Sequence, residues 1–164
     1  MKDDVVRSFA MNLDHARNLL DGIDEEQMIS QPIDGMNPPA WIIGHLVYSF
    51  QEIGAEMGLA RWLPDDWAER FGTGAELPST LEEVPSRTEL LSALDDGEKR
   101  LTDKLSQMSE AEFNQSLPDE RHRHIFPTVA SAVMHILTVH AAVHVGQLSA
   151  WRRAMGFPRA ADPI

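Results

Sequence analysis

From residue 124 to residue 151 the chain carries no Asp, Glu, Lys or Arg. About 20 apolar residues suffice to cross a bilayer as a helix, so this run must either span a membrane or be wrapped in protein. Its content decides between the two. It holds His124, His135, His140, His144 and Gln147 together with several Ser and Thr, and its flanks lack interfacial anchors. Val129, Val133, Ile136, Leu137, His140, His144, Gln147, Leu148 and Trp151 recur at helical spacing, and Gly156 and Pro158 supply a stop. The reading is a long helix, from about Thr128 to Met155, buried inside a soluble bundle.

Such a helix needs partners, and three more helical patterns supply them. Val5, Phe9, Leu13, Ala16, Leu20 and Ile23 step by three and four, with Asp3 or Asp4 as the expected cap and Gly22 near the end. A second pattern opens at Asn37-Pro38-Pro39, with Asn37 as the expected cap, and runs to about Gly58. Trp41, Ile42, His45, Tyr48, Ser49 and Glu52 share one of its faces. The third opens with the capping box Ser86-Arg87-Thr88-Glu89 and carries the stripe Leu90, Leu94, Gly97, Leu101, Leu105 and Met108. No strand pattern and no internal repeat is evident. The fold class is therefore all-α, a single helical domain over 1–164.

The connection at 59–85 is far longer than a tight antiparallel turn requires. It can run the length of a helix backwards, so that the second and third helices point the same way. Trp62, Leu63, Trp67 and Phe71 predict that it is packed. Ser79-Thr80-Leu81-Glu82 and Ser109-Glu110-Ala111-Glu112 predict short helices.

Charge and composition narrow the function. Asp and Glu number 26 against 14 Lys and Arg, a formal charge of −12. That balance repels phosphate backbones and anionic lipids, so neither a nucleic acid nor a membrane partner is expected. There is no Cys, which removes disulfides, a thiolate nucleophile and cysteine metal sites. A cytoplasmic location fits, and no apolar signal core follows Met1-Lys2-Asp3-Asp4.

The histidines carry the chemistry. His140 and His144 are four apart, so both rings reach one point on the apolar stripe. That geometry suits a divalent ion, and it equally suits core histidines satisfied by hydrogen bonds. His45 adds a third imidazole from the buried face of another helix. Three protein ligands with open positions mark a site that accepts a substrate. Gln147 could bond a ligating imidazole or a bound ligand, Tyr48 could turn its hydroxyl into the cavity, and Trp41 could wall the pocket. His135, about 140° round an α-helix from His140, is expected outside the cluster, and His15 on the surface or in a groove. Arg121-His122-Arg123-His124 reads as a solvated loop or as a grip on an anion at the pocket mouth.

Asn37-Pro-Pro-Ala-Trp-Ile-Ile-Gly-His45-Leu and His140-Ala-Ala-Val-His144-Val-Gly-Gln147-Leu together resemble the DinB-like (YfiT-like) metalloenzyme superfamily over nearly the whole chain. The resemblance implies an up-down-down-up four-helix bundle. It implies a divalent metal, Zn²⁺ or Ni²⁺, on His45, His140 and His144, and often a homodimer. Its characterised activities include thiol-dependent S-transfer, with a low-molecular-weight thiol as co-substrate, and many members are described only as hydrolases. A zincin would place Glu directly after its first His; here Ala141 stands there. Glu52 is the nearest carboxylate on the face of His45, about 10 Å along the axis. A missing base leaves a non-catalytic metal- or small-molecule-binding protein of stress response as the alternative.

Overall fold

A computed structural model describes residues 1–160, and among these the regular structure is entirely helical. One isolated antiparallel bridge, Ser116 with Thr128, ties the loop before the last helix to its start. Helix α1 spans Lys2–Leu20 and buries Val5, Phe9, Leu13, Ala16 and Leu20. Its cap is Met1, not Asp3 or Asp4. The two carboxylates lie in the first turn instead, where they oppose the helix dipole favourably. At the other end two arginines close the open carbonyls. Arg152, itself buried, donates to Leu19 O and Asp21 O, and Arg87 donates to Leu20 O.

Helix α2, Pro39–Glu56, is buried on every side from Pro39 to Val47. A helix apolar all round must be enclosed, and the connection at 59–85 encloses it. Within that connection, helix α3 (Trp67–Phe71) lays Phe71 against Gly44, so close that a Cβ on Gly44 would stand 2.3 Å from the ring. Trp67 Nε1 donates to Gly44 O at 3.0 Å. Buried Gln51 accepts the backbone N–H of Trp62 and Leu63 at 2.8 and 2.7 Å. The connection is packed, as its aromatics predict. Asn37 does not cap α2: Pro38 takes that position and Pro39 the first helical one, which leaves the Asn37 side chain free for another task.

Helix α4, Arg87–Gln107, starts on the Ser86–Glu89 capping box and buries Leu90, Leu94, Gly97, Leu101 and Leu105. The predicted short helices form as a 3-10 turn at Leu81–Glu83 and as α5, Glu110–Phe113. The last helix departs from a plain α-helix. It runs as α6 (Val129–Met134), a π-helical segment at His135–His140, and α7 (Ala141–Ala154). Helix α1 packs against α4 and α7, and α2 against the same two, with the π segment touching both α1 and α2. Val129–Ala154 is long and apolar enough to cross a membrane, and 44% of its most apolar window is buried in the protein.

Candidate metal centre

His45 is delivered by the most enclosed stretch of α2. Its Nδ1–H donates to Phe71 O at 2.7 Å. A carbonyl only accepts, so this contact puts the proton on Nδ1 and leaves a lone pair on Nε2. Trp41, one turn earlier, stacks on the ring at 4.8 Å and 7°. It walls the site and belongs to the core at once.

His144 on α7 is held the same way. Its Nδ1–H donates to Gln147 Oε1 at 3.0 Å, and that oxygen also accepts from Asn37 Nδ2 at 3.3 Å. Gln147 therefore bonds an imidazole, and Asn37 orients Gln147. Again Nε2 carries the lone pair. His140, at the end of the π segment, brings its Nε2 to 3.2 Å from the Nε2 of both His45 and His144.

This arrangement is unsatisfied without an electrophile at its centre. The Nε2 atoms of His45 and His144 both present lone pairs to His140 Nε2. One N–H there satisfies a single neighbour. If His140 carries its proton on Nδ1 instead, three lone pairs converge, and His140 Nδ1 is buried with no hydrogen-bond partner among the described residues. A tetrahedral Zn²⁺ with Zn–N near 2.0–2.1 Å would hold its nitrogens about 3.3 Å apart, close to the 3.2 Å seen for two of the three edges. One ring nitrogen from each residue lies within 4.8 Å of the others. The donor set fits a divalent ion.

Electrostatics agree. Burial pushes His140 and His144 down to about 4, with neighbouring imidazoles adding to the effect, and burial also lowers His45 against the opposing pull of Phe71 O. All three are neutral at pH 7, the state in which imidazole binds metal.

A cavity of about 320 Å³ opens beside the cluster, touching His45 and His140. Tyr48, Ile53, Phe126 and Ile136 line it, together with the charged or titratable Glu52, Asp119, Arg121 and His122. Glu52 forms an ion pair with Arg61 at 2.9 Å while still lining the cavity. Arg121 and His122 are turned onto Asp119 at 2.7 and 3.1 Å, and the Arg121 hydrogen bonds hold the Asp119 carboxyl far below the usual range. His135 lies outside the cluster, as expected, although it stands nearer to His140 than an α-helix would place it. The π winding, in which residues five apart share a face, brings its ring to 6.5 Å from that of His140 and against Phe126 at 5.0 Å. His15 lies in a groove with Arg152 and Arg153.

Phe71, Asn37 and the π segment have no counterpart among the sequence-predicted site features. Phe71 acts through its backbone carbonyl, which no side-chain pattern signals. Asn37 reaches Gln147 across 110 positions of chain. A family model described as the DinB superfamily matches residues 8–148, a stretch that contains all three histidines. No curated protein matches the chain.

Proposed function

The chain belongs to the DinB superfamily, and on that premise we propose that it is a metal-dependent enzyme acting on a small molecule, a thiol-dependent S-transferase or a hydrolase. One observation carries the reading: three neutral imidazoles converge through Nε2 beside a cavity that touches two of them. Zn²⁺ or Ni²⁺, when bound, would supply Lewis acidity and ease the ionisation of a coordinated water or thiol. The chain's own groups do the rest. Phe71 O and Gln147 fix the tautomers of His45 and His144. Trp41 keeps water from the back of His45. Tyr48 and the apolar wall of Ile53, Phe126 and Ile136 receive the body of a substrate.

S-transfer is the stronger of the two activities, because it asks least of a protein base. Ala141 follows His140, and Glu52 is engaged by Arg61. The chain has no Cys, so the thiol comes from a separate small molecule. The same lack of a base supports a second reading, a non-catalytic binder of metal and small molecule in stress response. Metal analysis of the purified chain, followed by assay of Zn²⁺- and Ni²⁺-loaded protein with small thiols and an electrophilic acceptor, separates them. Metal-dependent consumption of thiol and acceptor supports the enzyme; saturable ligand binding without turnover supports the binder. Failure of the chain to take up either ion removes both.

The proposal extends to the whole molecule. The mutual packing of α1, α2, α4 and the last helix, with the long connection between α2 and α4, supports an up-down-down-up four-helix bundle forming one domain. A homodimer is proposed through the groove formed by Ser8, Met11, Asn12, Thr138, Val139, Ala142 and Val143. Met11, Val139 and Val143 are large apolar side chains left exposed there. The last-helix side of this groove is uncharged, so two copies of a chain of formal charge −12 can approach through it. A cytoplasmic location and the absence of nucleic acid and membrane partners complete the proposal.

A further inference from the structure

The π segment that ends in His140 is braced from outside its own helix. Ala141 N–H reaches Ile136 O, five residues back, and Thr138 O, three residues back, so the ordinary bond to Leu137 O is skipped. A π turn changes which N–H each carbonyl receives, so its winding is open to support from side chains. Two side chains respond. Thr138 Oγ1 donates to Met134 O at 2.6 Å. Asn12 Nδ2, from the middle of α1, donates to Thr138 O at 3.2 Å. Asn12 is the one residue outside the last helix with a side-chain hydrogen bond to the backbone of His135–His140 among the described residues.

We infer that Asn12 is a positioning residue for His140: its carboxamide holds the π winding and so sets where the central imidazole of the cluster stands. The inference rests on the metal-binding reading above. His140 needs this support more than its neighbours do. His45 is oriented by Phe71 O and His144 by Gln147, but His140 Nδ1 has no partner among the described residues. Its position therefore depends on the backbone that carries it. Thr138, two residues earlier, is where α1 grips that backbone. Met11, beside Asn12, lines the same groove without bonding the segment, which makes it the natural control.

The test is titration of the full-length chain with Co²⁺, read by visible absorption, with thermal melting of each variant. Wild type and Met11→Ala should take up Co²⁺ with equal affinity and the same bands. Asn12→Leu and Asn12→Asp keep the size but lose the donor; they should bind about 10–100-fold more weakly, with shifted bands, as losses of ligand-orienting groups do. Folded Asn12 variants that bind Co²⁺ like wild type overturn the inference and leave the metal site standing. A wild type that takes up no Co²⁺ overturns the metal reading and this inference with it. Should both variants fail to fold, the wild-type Asn12 side-chain amide resonance decides. It should shift on Zn²⁺ addition while that of exposed Asn18 on the same helix stays put; an unresponsive Asn12 is evidence against the role.

Discussion

His140 is asked to satisfy two lone pairs with one ring nitrogen, and this makes the cluster sensitive to both ions and protons. In the metal-free protein, His140 and His144 protonate near pH 4, whereas an unfolded imidazole protonates near 6.5. Between those values the unfolded chain binds more protons than the folded one. Stability therefore falls as pH drops from about 6.5 toward 4 and is fully present above that window. Urea midpoints of the metal-free protein at pH 7.5 and 5 should show the loss, and His140→Gln should shrink the difference between the two pH values. Gly44 is a second sensitive residue. A methyl there meets the Phe71 ring at 2.3–2.7 Å, and an aromatic ring cannot fold aside as a flexible chain does. Gly44→Ala should cost about 1–3 kcal/mol by overpacking. Because Phe71 O orients His45, it should also weaken Zn²⁺ binding measured by calorimetry. Unchanged affinity would mean that the carbonyl is not what holds the ring.

At the scale of elements, α4 and the last helix divide the labour. Helix α4 contributes nothing to the histidine cluster and serves the core. Leu94 on its inner stripe is fully buried, so Leu94→Ala should lose about 2–5 kcal/mol in chemical denaturation. Metal affinity should be unaltered. Ser86→Ala removes the side chain that accepts Glu89 N–H and should cost about 1 kcal/mol. The last helix is the reverse case. Its π segment departs from regular α bonding where it delivers His140 to the histidine cluster, and π segments are frequent at functional sites.

For the whole molecule, the cluster joins α2 to the end of the chain, so unfolding scatters its ligands. A metal held only by the folded state raises stability by RT ln(1 + [L]/Kd). Adding a chelator to metal-loaded protein should lower Tm at pH 7.5 and still do so at pH 5, because burial holds folded His140 and His144 down at about 4, and the effect should fade only as pH falls toward that value. His140→Ala should lose most of that response while still folding, since the buried stripes of all four long helices remain. The groove over α1 and the last helix makes a separate prediction. Val143 is 55% exposed on a charge-free helix face. Val143→Glu should shift sedimentation toward the monomer without changing Tm by more than a small amount; a wild type that sediments as a monomer at high concentration would remove the dimer.

Short-range physics was legible in the sequence. The apolar stripes of α1 and α4, the capping boxes at Ser86 and Ser109, and the packed aromatics of the connection follow from helical period and local hydrogen bonding. The convergence of His45, His140 and His144 was legible too, because an i,i+4 pair and a histidine on a buried face leave few other arrangements in a helical protein. What needed the tertiary structure was every feature carried by backbone groups or by contacts between distant segments. Asp3 and Asp4 cede the cap to Met1, and Asn37 cedes it to Pro38 while its side chain bonds Gln147 instead. His135 moves beside His140 because a π turn replaces an α turn, and side-chain periodicity cannot distinguish the two over six residues. Phe71 orients His45 through a carbonyl that every residue possesses. Asn12 reaches Thr138 across 126 positions. A sequence states which side chains are available; only the packed chain decides which backbone groups they meet.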